Sequence, residues 1–352
     1  MASFPPPIIQ ILHNRGITDP AQAELFLNPD ERLQNDPFTL PDIDKAAARI
    51  YHALLSGENI AVYGDFDADG ITATAILTQG LTQLGGKVTP YIPHRVEEGH
   101  GLNHAALESL FRQGITLAIT VDCGITAVPE VERAQEIGLD IVITDHHSVP
   151  PTLPPAVAMV DPKRIDSTYP FTELAGVGVA FKLLQALHQT LGTKEDGSEF
   201  LDLVAIGTVA DMVPLLGENR YLVKQGLQVL NNTKRVGLQE MAHCAGLKLG
   251  QLDAESISWG LAPRLNTPGR LGHALASYEL LMTDSPDEAR QLSMELEQKN
   301  AERQKLTGEV SARAKEQLLS MGIDSPLLMV GDEDYPAGVI GLVASRLVNE
   351  FH

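Results

Sequence analysis

Apolar and polar positions follow two periods along this chain. Asn59 to Tyr63 is a short apolar run that reads as a buried strand, and Gly70 to Leu84 then shows helical spacing. Val88 to Ile92, Leu117 to Val121, Ile141 to Thr144 and Val157 to Val160 are further strand-like runs. Helical patterns over His104 to Gln113 and Pro129 to Ile137 lie between them. Strands alternating with helices at this spacing predict an α/β fold, a parallel sheet with covering helices. Upstream, Ile8 to Arg15 and Pro20 to Leu27 have helical spacing, with Thr18-Asp19 as a cap for the second. Pro37 and Pro41 break the pattern before a helix over Asp42 to Leu55, whose Ile43, Ala46, Ile50 and Leu54 share one face.

Downstream, Leu222 to Leu230, Val236 to His243 and Ser256 to Leu261 have helical spacing. Ser285 as cap and Pro286 at the first helical position then open a run to about Leu319. Such a helix is on the order of 50 Å long at 1.5 Å per residue. Its apolar positions are sparse (Leu292, Leu296, Leu306, Val310, Ala314, Leu318), which predicts a solvated helix bridging two lobes. Pro326 to Val330 reads as a strand and Gly338 to Leu347 as a helix.

Composition narrows the function classes. At 352 residues and 43% apolar, the chain can build two domains with sizeable cores. Cys123 and Cys244 lie far apart and suggest no disulfide framework, which fits a reducing cytosol. The start, MASFPPPIIQ, lacks a basic region followed by an apolar one, and no apolar run approaches the roughly 20 residues of a membrane span. A net charge of -20 excludes a basic protein that coats nucleic acid. A nucleic-acid substrate has to be met by a local basic groove and by bound metal.

The acids are where the chemistry gathers. Asp65, Asp67 and Asp69 follow the first strand at alternate positions and end at Gly70. Three like charges this close cost stability unless solvent or a cation neutralises them. Hard divalent cations take oxygen ligands, so a metal site is one reading, and a solvated acidic turn or a calcium loop is another. The calcium pattern needs a carboxylate several residues past the glycine, and none occurs before Leu84. Asp122 follows the run ending at Val121, and Asp145-His146-His147 follows Thr144. Three predicted strand ends thus bring acids or imidazoles to one edge of the sheet, where such sheets bind ligands. The two histidines are either a polar turn or a ligand and a substrate contact side by side. Asp145 could orient one of them through its ring N–H. Asp211 ends an apolar helix, where an unpaired carboxylate is expensive. Arg264, Asn266 and Arg270 cluster in a Pro/Gly-containing stretch from Pro263 to Arg270, and they are either surface residues or a fork for phosphate.

These residues carry a resemblance. Gly64-Asp-Phe-Asp-Ala-Asp-Gly70, Val121-Asp-Cys-Gly124, Thr144-Asp-His-His147 and Ala210-Asp-Met-Val-Pro214 resemble the four successive motifs of the DHH phosphoesterase superfamily. Tyr91 to Arg95 with Gly99 to Leu102, Gly176 to Ala180, Pro263 to Arg270 and Gly338 to Arg346 are similar to its exonuclease branch. His100 departs from the tyrosine more usual there. The resemblance covers nearly the whole chain. It implies one or two manganese or magnesium ions held by Asp67, Asp69, Asp122, His146 and Asp211. Asp69, His146 and Asp211 would hold one ion and Asp67 the other, with Asp122 bridging and Asp65 a further ligand or supporting acid. It gives Asp122, His146 and His147 catalytic roles, with His147 contacting the scissile phosphate or helping to position an acid. Arg270 becomes an anchor for a 5′-terminal phosphate and Arg95 a backbone contact, with Arg264 and Asn266 beside the substrate.

The implied organisation is an N-terminal helical segment over 1–50, a catalytic domain over 51–284, a connecting helix over 285–322 and the opening of a second, substrate-binding domain over 323–352. The implied activity is a metal-dependent 5′→3′ exonuclease on single-stranded DNA in repair and recombination, with single-strand-binding protein and a helicase as partners. A phosphoesterase for short oligonucleotides or small phosphates and a non-catalytic scaffold are the other two readings. Intact ligand positions argue against the scaffold.

Overall fold

The computed structural model describes residues 4–95, 97–323 and 325–351. At its centre is a parallel sheet of five strands: β1 (Asn59–Gly64), β2 (Lys87–Tyr91), β3 (Ile115–Val121), β4 (Asp140–Thr144) and β5 (Ala158–Val160). Their order is β2-β1-β3-β4-β5, in register Tyr63 with Thr120, Thr120 with Ile143 and Thr144 with Val160. The order reverses between β1 and β3, which puts a topological switch point at their carboxyl ends.

The helices are α1 (Pro6–Asn14), α2 (Pro20–Leu27), α3 (Ile43–Ser56), α4 (Ala68–Gln83), α5 (His104–Arg112), α6 (Val128–Ile137) and α7 (Gly176–Leu191). After them come α8 (Leu201–Ala210), α9 (Gly217–Leu230), α10 (Val236–Cys244), α11 (Ala262–Leu271), α12 (Leu275–Met282), α13 (Pro286–Met321) and α14 (Ala337–Phe351). Side chains of β1, β3 and β4 alternate between two covered faces, so these strands are largely apolar, while the edge strand β2 is partly exposed. Ile60, Val62, Leu117, Ile119 and Val142 enter one core with residues of α3, α4, α7 and α8. Ala61, Tyr63, Ala118, Ile141 and Ile143 enter the other, under Leu107 and Leu110 of α5 and Val131 and Ala134 of α6.

Three expectations need correction. The boundary at residue 50 falls inside α3, whose Ile43, Ala46, Ile50 and Ala53 are buried in the main core. Helix α13 does carry the Ser285 cap, with the hydroxyl accepting the Glu288 N–H, but it is not a bare solvated bridge. Its Ala289 and Leu296 belong to the main core, while Val310 and Ala314 pack with Val339 and Val343 of α14. Residues 326–330 form no strand, because no neighbouring strand lies beside them to complete a ladder among the described residues, and Leu327 and Met329 are exposed. Pro263 to Arg270 lies in a helix, α11, that follows a π-helical turn at Ser256–Leu261.

Candidate active site

The acids of β1 lead into α4. Asp67 is the N-cap of α4, its carboxylate accepting the Asp69 and Gly70 N–H groups at 2.9 and 3.1 Å. Gly70 is required there: a Cβ would lie 2.6 Å from the Asp65 carbonyl oxygen. Asp69 sits in the first turn of α4, buried, and accepts the Gly176 and Val177 N–H groups at 2.7 and 2.8 Å. These donors open α7, so two helix starts meet at one carboxylate.

Asp122 follows β3 in the left-handed region, with φ 61°. A non-glycine residue there is strained, and such strain gathers at functional sites. The residue after β4 is Asp145, buried, which accepts the Ile125 N–H at 2.9 Å and the His146 N–H at 2.7 Å. It also accepts the His147 Nδ1 proton at 2.7 Å, which fixes that ring. Asp211 caps the end of α8.

These residues converge. Ligand atoms of Asp69, His146 and Asp211 lie within 4.8 Å of one another, as do those of Asp65, Asp67 and Asp122, and those of Asp122, His146 and His147. His146 Nε2 is 3.1 Å from Asp122 Oδ1, 3.7 Å from Asp211 and 3.9 Å from Asp69. The closest pair is out of hydrogen-bond geometry, and both atoms are buried without a hydrogen-bond partner, as is Asp65 Oδ1. Several acceptors facing one point with no donor among them suit a shared cation.

The titration behaviour says the same. Burial and the neighbouring Asp67 push Asp65 up to about 7. Burial and Asp67 raise Asp211 to about 6. Burial, with the other acids of the cluster, holds Asp69 and Asp122 well above the ordinary carboxylate range. Burial and the neighbouring His147 pull His146 down to about 4, leaving it a neutral ligand at physiological pH. Asp145 differs: burial opposes its ionisation, but the hydrogen bonds from His147 and the backbone hold it below the usual range. Its partnership lifts His147 to about 9. The cluster lacks positive charge, and divalent ions supply it.

Two cavities flank the cluster. One of about 240 Å³ is lined by Asp65, His100, Asp122, Asp145 and His147. The other, about 740 Å³, is lined by Ala210 and Met212 on either side of Asp211, and by Asn266, Arg270, Arg303 and Arg346. Burial and the nearby Arg95 and Arg303 lower the pKa of Arg270; burial and Arg346 lower that of Arg303. Guanidiniums that destabilise one another make a site for an anion. Helix α14 is pressed in closely: a Cβ on Gly338 would meet the Arg270 carbonyl oxygen at 2.1 Å.

The other substrate candidates separate. Arg95 stacks over Phe66 at 4.9 Å, and His100 packs on the same ring at 4.5 Å. Asn266 lines the large cavity, but its Oδ1 accepts the Ala68 N–H at 2.7 Å, tying α11 to the start of α4. Arg264 is not among the residues of the large cavity. Its guanidinium is held by Glu297 at 2.5 Å and the Gly260 carbonyl at 2.7 Å, because α13 packs against that side of α11.

Three residues escaped the sequence reading. Arg303 is one of many charges along α13, and nothing local marks it out. Arg346 lies in a stretch read as a helix and matched by resemblance, with nothing local to mark the arginine. Asn219, at 0% exposure, donates from Nδ2 to the Glu173 carbonyl at 2.5 Å and to the Pro214 carbonyl at 3.2 Å. Glu173 is three residues before Gly176, which holds Asp69, and Pro214 is three after Asp211. The only signal for Asn219 was its place eight residues past a suspected ligand, in the first turn of α9.

A doubly covered parallel sheet with acids and an imidazole at its switch point defines the class, and the chain belongs to the DHH family. The model of the DHH family, N-terminal domain, matches residues 59–208. The chain is 44% identical over 347 residues to the single-stranded-DNA-specific exonuclease RecJ of Bacillus subtilis, covering 99% of itself and 44% of that protein. It is 41% identical over 310 residues to the Thermus thermophilus protein of the same name, covering 88% of itself and 45% of the relative. A crystal structure of exonuclease RecJ bound to manganese superimposes with TM-score 0.81 at 39% identity, over 91% of this chain and 79% of that one. Within the family the chain therefore stands with the RecJ proteins, and it spans less than half of either curated relative.

Proposed function

We propose that the chain carries the machinery of a metal-dependent 5′→3′ exonuclease that hydrolyses phosphodiester bonds of single-stranded DNA in repair and recombination. The observation that carries this reading is the juxtaposition of a cluster of buried acids and an imidazole, with unpartnered acceptor atoms, and a cavity lined by three arginines. Its donor set, carboxylates with one neutral imidazole, suits manganese or magnesium. Asp69, His146 and Asp211 would hold one ion, and Asp65 and Asp67 a second, with Asp122 shared between them. When bound, such ions supply Lewis acidity toward a phosphodiester and acidify water.

The chain's own groups do the rest. Asp145 keeps His147 protonated at neutral pH, and the half-exposed ring offers a charged donor to a phosphate oxygen. Arg270, Arg303 and Arg346 take the terminal phosphate of the strand, and holding an end in this way favours release from that end. Arg95, clamped on Phe66, contacts the following backbone. Manganese-bound and single-strand-specific RecJ relatives support the same activity. No helix among the described residues is long and apolar enough to cross a membrane. A cytosolic setting with single-strand-binding protein and a helicase as partners belongs to the same proposal.

The test is end-labelled single-stranded DNA with manganese, scored for mononucleotides from the 5′ end, beside dinucleotide and pyrophosphate controls. Asp122→Ala is expected to abolish turnover while the circular dichroism spectrum stays native. Near-normal hydrolysis by that variant would contradict the shared-ligand role.

A further inference from the structure

The arginine cavity has an apolar side that phosphate binding leaves unexplained. Trp259 is the chain's only tryptophan and is 77% exposed. Met212 is 88% exposed and sits at φ 63°, one residue past Asp211. Both line the same cavity as Arg270, Arg303 and Arg346. An exposed indole leaves a large apolar face in water, at a cost that binding can recover.

The local fold keeps the indole outside. Trp259 lies in the π-helical turn Ser256–Leu261, a geometry found mostly at functional sites. The neighbours Ile257, Gly260 and Leu261 are buried. A Cβ on Gly260 would meet the Leu247 side chain at 2.6 Å, so the inner side of the turn is fully packed. The indole therefore stands on a fixed base.

We propose that Trp259, flanked by Met212, is the stacking platform for the terminal nucleobase of the strand whose phosphate the three arginines hold. The assignment rests on the nuclease reading above and adds a base contact to it. Charge complementarity selects the occupant. Inorganic phosphate has no use for an indole, and an apolar peptide has no use for three guanidiniums. A nucleotide presents an anion and a flat π-face together. Aromatic stacking accepts any base, so the platform adds affinity without sequence preference. The cavity of about 740 Å³ falls in the usual range for ligand sites.

The single tryptophan makes the test direct. The probes are a short 5′-phosphorylated single strand and the same strand with an abasic terminal sugar, both in EDTA so that nothing is cut. Strand anisotropy reports binding and tryptophan emission reports stacking. The base-bearing strand is expected to quench emission, and the abasic strand to bind with far less quenching. In manganese, Trp259→Ala is expected to raise KM about tenfold with kcat near the wild-type value, and Trp259→Phe to restore most of the loss. Equal quenching by the two strands, or an unchanged KM in Trp259→Ala, overturns the platform. Hydrolysis without base-dependent quenching leaves the nuclease standing and removes the platform. Base-dependent quenching without hydrolysis does the reverse, and failure to bind either strand removes both.

Discussion

Gly176→Ala puts the close packing of α7 against the acid cluster under test. A Cβ at 176 would lie 2.6 Å from the Asp122 Cβ and Oδ1 and 2.8 Å from its Cγ. Ordinary carbon contacts begin near 3.5 Å, so something must move by about 1 Å. Helix α7 cannot simply retreat, because the Gly176 N–H donates to Asp69 at 2.7 Å. Asp122 is therefore displaced, or the hold on Asp69 is broken. Overpacking of this kind costs about 1–3 kcal/mol, which lowers the melting temperature by roughly 1–4 °C for a chain of this size. Displacing a ligand by about 1 Å costs on the order of 10²-fold in rate. The control is Gly178→Ala, two positions along the same helix, where a Cβ meets only the Leu174 side chain, from 3.4 Å outward. That change gains about 0.5–1 kcal/mol of helix propensity and is expected to leave activity alone. Thermal melts followed by circular dichroism, calorimetric manganese titration and 5′-end release of nucleotides read both variants. If Gly176→Ala binds manganese and cuts like the parent, the packing of α7 against Asp122 does not set the site.

Asn219→Ala strands the Glu173 and Pro214 carbonyls, at about 1–3 kcal/mol, and loosens the turns that carry Asp211 and the amides on Asp69. Manganese affinity measured by calorimetry is expected to fall in a sample still folded at the assay temperature, and an unchanged affinity would count against this positioning role. Arg270→Ala is expected to weaken the preference for 5′-phosphorylated over unphosphorylated ends; competition between the two strands measures it, and equal retention of the preference refutes it. The metal-free chain is expected to melt lower at pH 8.5 than at pH 6.5. Asp65 and Asp211 titrate at about 7 and 6 when folded, above their unfolded values, so they bind more protons folded than unfolded in this range. Their stabilising contribution is complete at low pH and is lost as pH rises through those values. His147, raised to about 9, acts in the same direction, while His146 lies at about 4 and is neutral throughout. Manganese should raise the melting temperature most at pH 8.5, and a metal-free melting temperature that climbs with pH would refute the sign.

Much of the sheet was legible because doubly covered parallel strands leave a plain mark: short apolar runs bounded by polar turns. That pattern located all five strands, and with β1, β3 and β4 the acids at their carboxyl ends. Arg303, Arg346 and Trp259 were not legible, because they come to one cavity with Arg270 only through the packing of the π-helical turn, α11, α13 and α14, contacts between residues far apart in the chain. Arg264 showed the opposite failure. Its residue type and its neighbours suited a phosphate contact, but nothing local revealed that Glu297 on α13 would claim it. The strand expected at 326–330 had the right composition without a ladder to join. Apolar alternation reports the wish to be covered, and pairing depends on what lies alongside.

Helix α13, 36 residues without a break, contributes side chains to both the sheet-centred core and the small core with α14. It acts as a ruler. Arg303 is carried on it, and Arg346 is fixed through α14, so the gap between the acid cluster and the anion cavity is set by a rod rather than by a loop. On the proposed nuclease reading, the rod's stiffness would set how far from its captured end a strand is presented to the cluster.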